Sequence, residues 1–172
     1  MTIVLVDTSV FCNILAVPGR SQAREEVIDK LQILIEDGVT LFLSMATILE
    51  TGNHIAHIND GRRRRTTAER FVRQVRQALD GKAPWMIPHP LLDPAALQGY
   101  LNEFPDSAMR GLGLGDLSIV KEFERQCNLT RRARRVFIWS LDHHLSAYDF
   151  TPGHTKVSQS VRQIIDKAYQ TG

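Results

Sequence analysis

Two acidic residues of this sequence follow apolar runs, at positions where a metal-assisted reaction could be carried out. Asp7 follows Ile3–Val6, four apolar residues that predict a short strand buried on both faces. Asp142 follows a second apolar run, Val136–Ser140. In an open parallel sheet both acids would reach the edge where the carboxyl ends of the strands meet, which is where ligands bind. The alternative for Asp7 is that it only caps a helix that begins near Ser9.

Two further acids stand on predicted helices. Glu50 lies on a helix from Ala46 to about His57, where we expect it to face inward, and Asp116 begins a helix that runs to Gln126. Four acids in one small site repel each other and raise each other's pKa, unless a divalent cation neutralises them. Because all the ligands would be oxygen atoms, the pattern favours Mg²⁺ or Mn²⁺. The predicted catalytic and metal-binding residues are Asp7, Glu50, Asp116 and Asp142.

The elements that would position these acids alternate along the chain. After the first strand, helical spacing predicts a helix over Arg24 to Asp37 with Ser21 as its cap, and then a second buried strand at Val39–Leu43. This rhythm of strands and helices is typical of an α/β fold with a parallel sheet and right-handed crossovers.

The second half of the chain is predicted to be mainly helical. Thr66 and Glu69 have the spacing of a capping box, which predicts that a helix begins there. Further helices are expected at Ala95–Phe104, ended by Pro105, and at Ser158–Tyr169. A short extended piece is expected around Trp85, Met86 and Ile87. No strand precedes the glycine-rich stretch Gly111 to Gly115, so we reject a dinucleotide-binding motif there.

Length and composition favour an ordinary soluble globular protein. The 172 residues are enough for one domain, residues 1–172, that buries about 70% of its unfolded surface. No apolar run approaches the roughly 18 residues of a membrane span. Asp7 interrupts an apolar N-terminus that lacks basic residues, which argues against a signal peptide. Cys12 and Cys127 have no partner motif, so we expect reduced thiols in a cytoplasmic protein with no membrane association.

Positive charge is concentrated in two arginine-rich stretches, although the formal net charge is only +2. The stretches are 62–76 and 131–135, and such clustering suggests phosphate contacts. The alternatives are a solvated face of an amphipathic helix, or a surface for a partner protein with an acidic segment. The predicted RNA-binding residues are Arg62, Arg63, Arg64, Arg65, Arg70, Arg73 and Arg76.

Histidines stand near two of the acids. His54 and His57 share one helix face with Glu50, which could suggest zinc, but the HExxH order is absent and we expect partly exposed polar side chains. His143 and His144 follow Asp142 directly, so they could contact substrate or transfer a proton. Alternatively, both histidines lie in a loop that only faces solvent.

Taken in order, the four acidic stretches resemble the motifs of PIN-domain nucleases, including toxin ribonucleases of the VapC kind. The resemblance extends from Ile3 to about Phe150. The family's usual last motif reads Thr-x-Asp-x-x-Phe, and here Ser140 and Leu145 replace its ends. The matching stretches are Asp7-Thr8-Ser9, Glu50 after the second strand, Leu114-Gly115-Asp116-Leu117 and Ser140-Leu141-Asp142-His143-His144-Leu145.

The resemblance implies a three-layer α/β/α fold around a mostly parallel sheet, and a metal-dependent endoribonuclease. Asp7, Glu50, Asp116 and Asp142 would hold one or two Mg²⁺ ions that activate water and stabilise the leaving oxygen. Around them, hydroxyl groups would hydrogen-bond an acid or a metal-bound water, and these belong to Thr8, Ser9 and Ser140. The same resemblance suggests an antitoxin protein as a partner, and related folds commonly form homodimers.

Other functions remain open on the sequence. Within the enzymes, the chain could cleave DNA or act as a general phosphodiesterase. A non-catalytic RNA- or protein-binding module would keep the fold, but an RNA-binding surface gains nothing from clustered negative charge. A small-molecule phosphatase with an aspartyl nucleophile usually has a second Asp two residues after the first, where Ser9 stands here.

Overall fold

The computed structural model describes residues 1–88, 94–130 and 133–152. The predicted helix at Ser158–Tyr169 therefore lies outside the described residues, as do Arg131 and Arg132. In chain order the elements are β1 (Thr2–Val6), α1 (Thr8–Ile14), α2 (Arg24–Glu36), β2 (Thr40–Leu43), α3 (Met45–Ala56), α4 (Gly61–Leu79), β3 (Trp85–Met86), α5 (Pro94–Met109), α6 (Leu114–Leu129), β4 (Arg135–Trp139), α7 (His143–Ser146) and β5 (Asp149–Phe150).

The strands form one sheet with the order β3-β2-β1-β4-β5. β1 pairs in parallel with both β2 and β4, β2 pairs in parallel with β3, and only β5 runs antiparallel to its neighbour. The predicted α/β class and mostly parallel sheet are confirmed. Chain order reverses between β1 and β4, because β2 and β3 lie on one side of β1 and β4 on the other. Open α/β sheets bind ligands at such a switch point.

Alternating side chains of β1 reach two separate cores. Val4 and Val6 pack in one core with α1, α2 and the C-terminal end of α3, whereas Ile3 and Leu5 pack in the other with α6. All four are at most 2% exposed, as expected for a strand covered on both faces. Helices on both faces of the sheet are compatible with the predicted three-layer arrangement.

One predicted helix cap and one predicted helix start are wrong. α2 has Ala23 at its N-cap with no side-chain cap bond, so Ser21 is not its cap. α4 begins at Gly61, because Asp60 accepts a hydrogen bond from the Arg63 backbone N–H at 2.6 Å. The capping box proposed for Thr66 and Glu69 therefore lies inside a helix that has already begun.

Pro105 does not end α5, which continues to Met109. Pro105 is on the exposed side of this helix, where water can satisfy the carbonyl that loses its helical donor. α5 is also held to α6, since Lys121 of α6 contacts Glu103 of α5 at 2.6 Å. This contact helps to hold a helix that has a proline in its interior.

No helix in the described ranges is long and apolar enough to cross a membrane.

Candidate active site

A cavity of about 340 Å³ opens at the carboxyl edge of β1 and β4, at the switch point of the sheet. All four predicted acids line it, although they come from four separate parts of the chain. Its size falls within the range of pockets that bind small molecules and cofactors. The lining acids are Asp7, Glu50, Asp116 and Asp142.

Asp7 is the most buried of the four acids, at 4% exposure. It caps α1, so the capping alternative and the site prediction both describe its position. Its Oδ2 accepts hydrogen bonds from the Ser9 hydroxyl at 2.6 Å, the Ser9 backbone N–H at 3.2 Å and the Ser140 hydroxyl at 2.8 Å. Three donors and a helix N-terminus stabilise the buried charge and fix its orientation.

The two serines also fix the loop that presents Asp142. The Ser140 hydroxyl accepts from the Asp142 backbone N–H at 2.9 Å, and the Ser9 hydroxyl accepts from the Leu141 N–H at 3.0 Å. Asp142 in turn caps α7 by accepting from the His144 N–H at 2.7 Å. A network of hydrogen bonds therefore connects the first acid of the chain with the last.

Glu50 reaches the cavity because α3 is anchored to the end of β1. The Thr47 hydroxyl of α3 donates to the Val6 carbonyl at 2.9 Å. One turn further on, Glu50 Oε2 accepts from the Thr8 hydroxyl at 2.8 Å. Its other oxygen, Oε1, lies against Gly115 of α6, where an added Cβ would be only 1.8 Å away. Only glycine leaves room for this carboxylate.

Asp116 stands in the first turn of α6 and binds its own helix start. Its Oδ2 accepts from the Gly113 backbone N–H at 3.0 Å, which shows that the helix begins earlier than the predicted residue 116. Negative charge at this position also interacts favourably with the helix dipole.

The acids perturb one another, as the sequence predicts. Burial raises the pKa of Glu50, and the charges of Asp116 and Asp7 raise it further, whereas the Thr8 hydrogen bond lowers it. Burial is also the main cause that raises the pKa of Asp116, with further contributions from Asp7 and Asp142. The cavity therefore disfavours its own negative charge, which a bound cation would reverse.

The donor chemistry of the cavity fits a hard divalent cation. Each of the four carboxylates has one oxygen bound to a protein donor, and the second oxygen has no hydrogen bond within the described ranges. In the described part of the chain, however, no three His, Cys, Asp or Glu side chains lie close enough together to hold a metal ion in their present positions. An ion would therefore need the free oxygens of these side chains to move closer to one another.

The histidines and cysteines take different places. His54 and His144 line the cavity, whereas His57 is exposed and bonds the Asn53 carbonyl through Nδ1. Burial lowers the pKa of His54, with a further contribution from the charge of Arg20. Cys12 also lines the cavity, but burial raises its pKa to about 11, so the thiolate form needed for nucleophilic attack is disfavoured. Both cysteines are free thiols.

None of the seven predicted RNA-binding arginines lines the cavity. Arg64 bonds the Ile58 carbonyl at 2.8 Å, and Arg70 bonds the Leu15 carbonyl, so both hold neighbouring segments in place. Arg65 pairs with Glu69 along the helix. The remaining four, whose side chains make no hydrogen bond or ion pair with another described residue, are Arg62, Arg63, Arg73 and Arg76.

Sequence reasoning missed three features of the cavity. Arg20 lines it from the loop after α1. Asn13 lines it from α1, and its buried Oδ1 has no hydrogen-bond partner in the described part of the chain. Gly115 makes room for Glu50. The Pro18-Gly19 turn before Arg20 could be predicted from the sequence. The positions of Asn13 in the cavity and of Gly115 beside Glu50 could not be predicted from local sequence patterns.

Comparison with known proteins adds no family: no protein-family model matches the chain, and no curated protein matches it.

Proposed function

We propose that this protein is a metal-dependent endoribonuclease that hydrolyses phosphodiester bonds in the acidic cavity. The single observation that supports it is the convergence of four acids, from four parts of the chain, on one cavity at the switch point of the sheet. Burial and neighbouring acids raise the pKa of Glu50 and of Asp116, and a bound cation would offset this crowding of carboxylates. The four carboxylates match the oxygen ligands of Mg²⁺ and Mn²⁺. The resemblance to PIN-domain nucleases supports the same proposal.

The cation would be held by Asp7, Glu50, Asp116 and Asp142. When bound, a divalent ion in such a site lowers the pKa of a water and neutralises charge on the phosphate. The chain's own hydroxyls orient the acids: Ser9 and Ser140 hold Asp7, and Thr8 holds Glu50. In the proposed site these hydroxyls would support the metal-binding acids, and none of them would need to contact the metal ion.

A covalent nucleophile is not part of the proposal. The hydroxyls of Ser9 and Ser140 both donate to the Asp7 carboxylate, and neither of them is hydrogen-bonded to a histidine among the described residues. The Cys12 thiol has its pKa raised to about 11 by burial. Water is therefore the attacking group that this cavity favours.

The substrate and partners are also part of the proposal. Unpaired arginines on α4 could bind RNA phosphates away from the cavity. The resemblance to toxin ribonucleases adds two proposed partners, an antitoxin protein and a second copy of this chain. The main alternative is a non-catalytic module that binds RNA or protein. The four converging carboxylates count against it, because they repel RNA unless a cation neutralises them.

Cleavage assays separate these functions. We expect the wild type to cut end-labelled single-stranded RNA with Mg²⁺ or Mn²⁺ and to be inactive in EDTA, with labelled DNA of the same sequence tested alongside. Binding of Mg²⁺ should also stabilise the protein, by about 2.7 kcal/mol at a hundredfold excess over Kd. RNA that stays intact with both metals, together with an unchanged melting temperature, would contradict the proposal.

A further inference from the structure

Arg20 differs from every other basic residue in its position. Among the described residues it is the one Lys or Arg that lines the acidic cavity. It is exposed, and its side chain has no hydrogen bond or ion pair with another described residue. An arginine that lines a cavity with four carboxylates and pairs with none of them has a free guanidinium for a ligand.

The backbone before Arg20 fixes where it lies. At the end of α1 the Val17 N–H bonds the Cys12 carbonyl at 2.9 Å and the Ala16 N–H bonds the Asn13 carbonyl at 3.1 Å, as in a Schellman motif. Ala16 has a φ of 51°, a conformation that residues other than Gly and Asn rarely adopt. Such a conformation persists only where the surrounding structure holds it in place.

The turn continues directly into Arg20. Gly19 has a φ of 77°, and the Arg20 N–H bonds the Val17 carbonyl at 3.0 Å. Gln22 closes the other side, since its Nε2 donates to the Gly19 carbonyl at 2.8 Å. Arg70 of α4 holds the base of the turn by donating to the Leu15 carbonyl. Five hydrogen bonds therefore hold the backbone that presents Arg20.

The charge of Arg20 acts on the side of the cavity formed by α1 and α3. It lowers the pKa of His54 on α3, after the larger effect of burial, and it acts in the same direction on Cys12 of α1. The guanidinium is therefore near the helix that carries Glu50. Each acid of the cavity already accepts a hydrogen bond from another protein donor, which is consistent with an unpaired Arg20.

We propose that Arg20 binds a phosphate of the nucleic-acid substrate at the rim of the acidic cavity. A planar guanidinium binds two phosphate oxygens at once, which fixes orientation as well as supplying charge. An anionic chain approaching four carboxylates needs such a counter-charge beside the reacting group. This inference rests on the proposed nuclease function and names the residue that would position its substrate. The arginines of α4, which lie outside the cavity, could not perform this role.

The test compares Arg20→Gln and Arg20→Lys with Arg24→Gln. Arg24 is an exposed arginine four residues away that does not line the cavity, so its variant makes the same change in net charge. We expect Arg20→Gln to raise KM on the order of 10- to 100-fold with kcat nearly unchanged, because one charge-assisted contact made throughout the reaction is lost. Arg20→Lys should have a KM between those of Arg20→Gln and the wild type, because lysine keeps the charge but not the planar guanidinium. Arg24→Gln should have the KM and kcat of the wild type.

Binding supplies a second readout that does not need cleavage. Fluorescence anisotropy with a labelled single-stranded RNA, in an Asp7→Asn background with Mg²⁺, should show weaker binding for Arg20→Gln. The slope of the logarithm of its binding constant against the logarithm of the salt concentration should be shallower by about 0.7, as expected for one lost phosphate contact. Melting temperatures of all variants should agree, because both arginines are exposed.

The outcomes separate this inference from the proposed function. RNA cleavage that is equal in Arg20→Gln and Arg24→Gln would overturn the role of Arg20 and leave the nuclease standing, including the case in which only binding to a protein partner is lost. RNA binding that depends on Arg20, without any cleavage by the wild type, would support the contact and overturn the nuclease. A wild type that neither binds nor cleaves RNA would overturn both.

Discussion

The contact between Gly115 and Glu50 makes a sharp prediction for Gly115→Ala. A Cβ at residue 115 would lie 1.8 Å from Oε1 of Glu50, whereas ordinary contact begins near 3.4 Å, so the carboxylate must move by about 1.6 Å. The Glu50 carboxylate is at the end of a flexible side chain and can rotate away from residue 115. This movement would break its hydrogen bond with Thr8, which costs about 1 kcal/mol. Because alanine also favours a helix by up to about 1 kcal/mol over glycine, we expect the stability to change little.

Activity should respond much more strongly than stability. A misplacement on the order of 1 Å costs about 10²-fold in rate when a group must hold a defined geometry. We therefore expect Gly115→Ala to fold with a melting temperature near that of the wild type and to cleave RNA about 100-fold more slowly, measured in single turnover.

Gly52→Ala is the matched control for this substitution. Gly52 lies on the same helix as Glu50, and a Cβ there would contact nothing within 4 Å. It should gain roughly 0.5–1 kcal/mol of stability, because alanine replaces a glycine in the interior of a helix, and keep full activity. Wild-type cleavage by Gly115→Ala would refute the placement of Glu50 in the reacting geometry.

Three other predictions follow from local structure. Ala16→Gly should stabilise the protein against urea by about 0.5–1 kcal/mol, since it relieves a positive φ; a loss of stability would show that the turn is unstrained. Arg70→Gln should lower stability by about 1.5 kcal/mol, because it removes a charged donor to the Leu15 carbonyl, whereas the exposed Arg73→Gln should have no effect in the same assay. In EDTA, the raised pKa values of Glu50 and Asp116 mean that the folded state binds protons more tightly than the unfolded state. The free energy of unfolding should therefore fall as pH rises from the ordinary carboxyl pKa through the raised values, and Glu50→Gln should flatten this dependence. A wild-type profile that rises over that window would contradict the sign of the shift.

The sequence was sufficient to predict the parts of the fold that depend on apolar patterning. β1 and β4 are nearly continuous apolar runs, so their burial and the acids that follow them could be predicted from adjacent residues. Their pairing as direct neighbours is a property of strand order, which no local pattern of Ile3–Val6 or Val136–Ser140 encodes. That pairing is what brings Ser140 within 2.8 Å of Asp7.

The predicted start of α4 was wrong because the sequence offers two possible caps for this helix. Asp60 and the Thr66–Glu69 pair both have capping chemistry, and the earlier cap starts α4 because the arginines after it are compatible with a helix. Arg64, in the part of α4 before the predicted start, donates to the Ile58 carbonyl, and Arg70 donates to the Leu15 carbonyl. Clustering in sequence therefore overstated the size of the free basic surface.

The features missed at the site depend on long-range approach. Glu50 and Gly115 are far apart in the sequence, and only the packing of α3 beside α6 explains why glycine is required. Arg20 reaches the cavity through a turn whose strained residue is an alanine, which has no turn preference of its own. Such positions become identifiable only once the tertiary structure is known.

Substitution of Asp7 tests the central claim most directly. Asp7→Asn keeps the size of the side chain and removes its charge, and Asp29→Asn makes the same change at an exposed position of α2 that is outside the cavity. With saturating Mg²⁺ and labelled RNA, we expect the Asp7 variant to fold and to cleave on the order of 10³-fold more slowly, and the Asp29 variant to match the wild type. Equal rates for all three proteins would contradict the assignment of this cavity as the catalytic site.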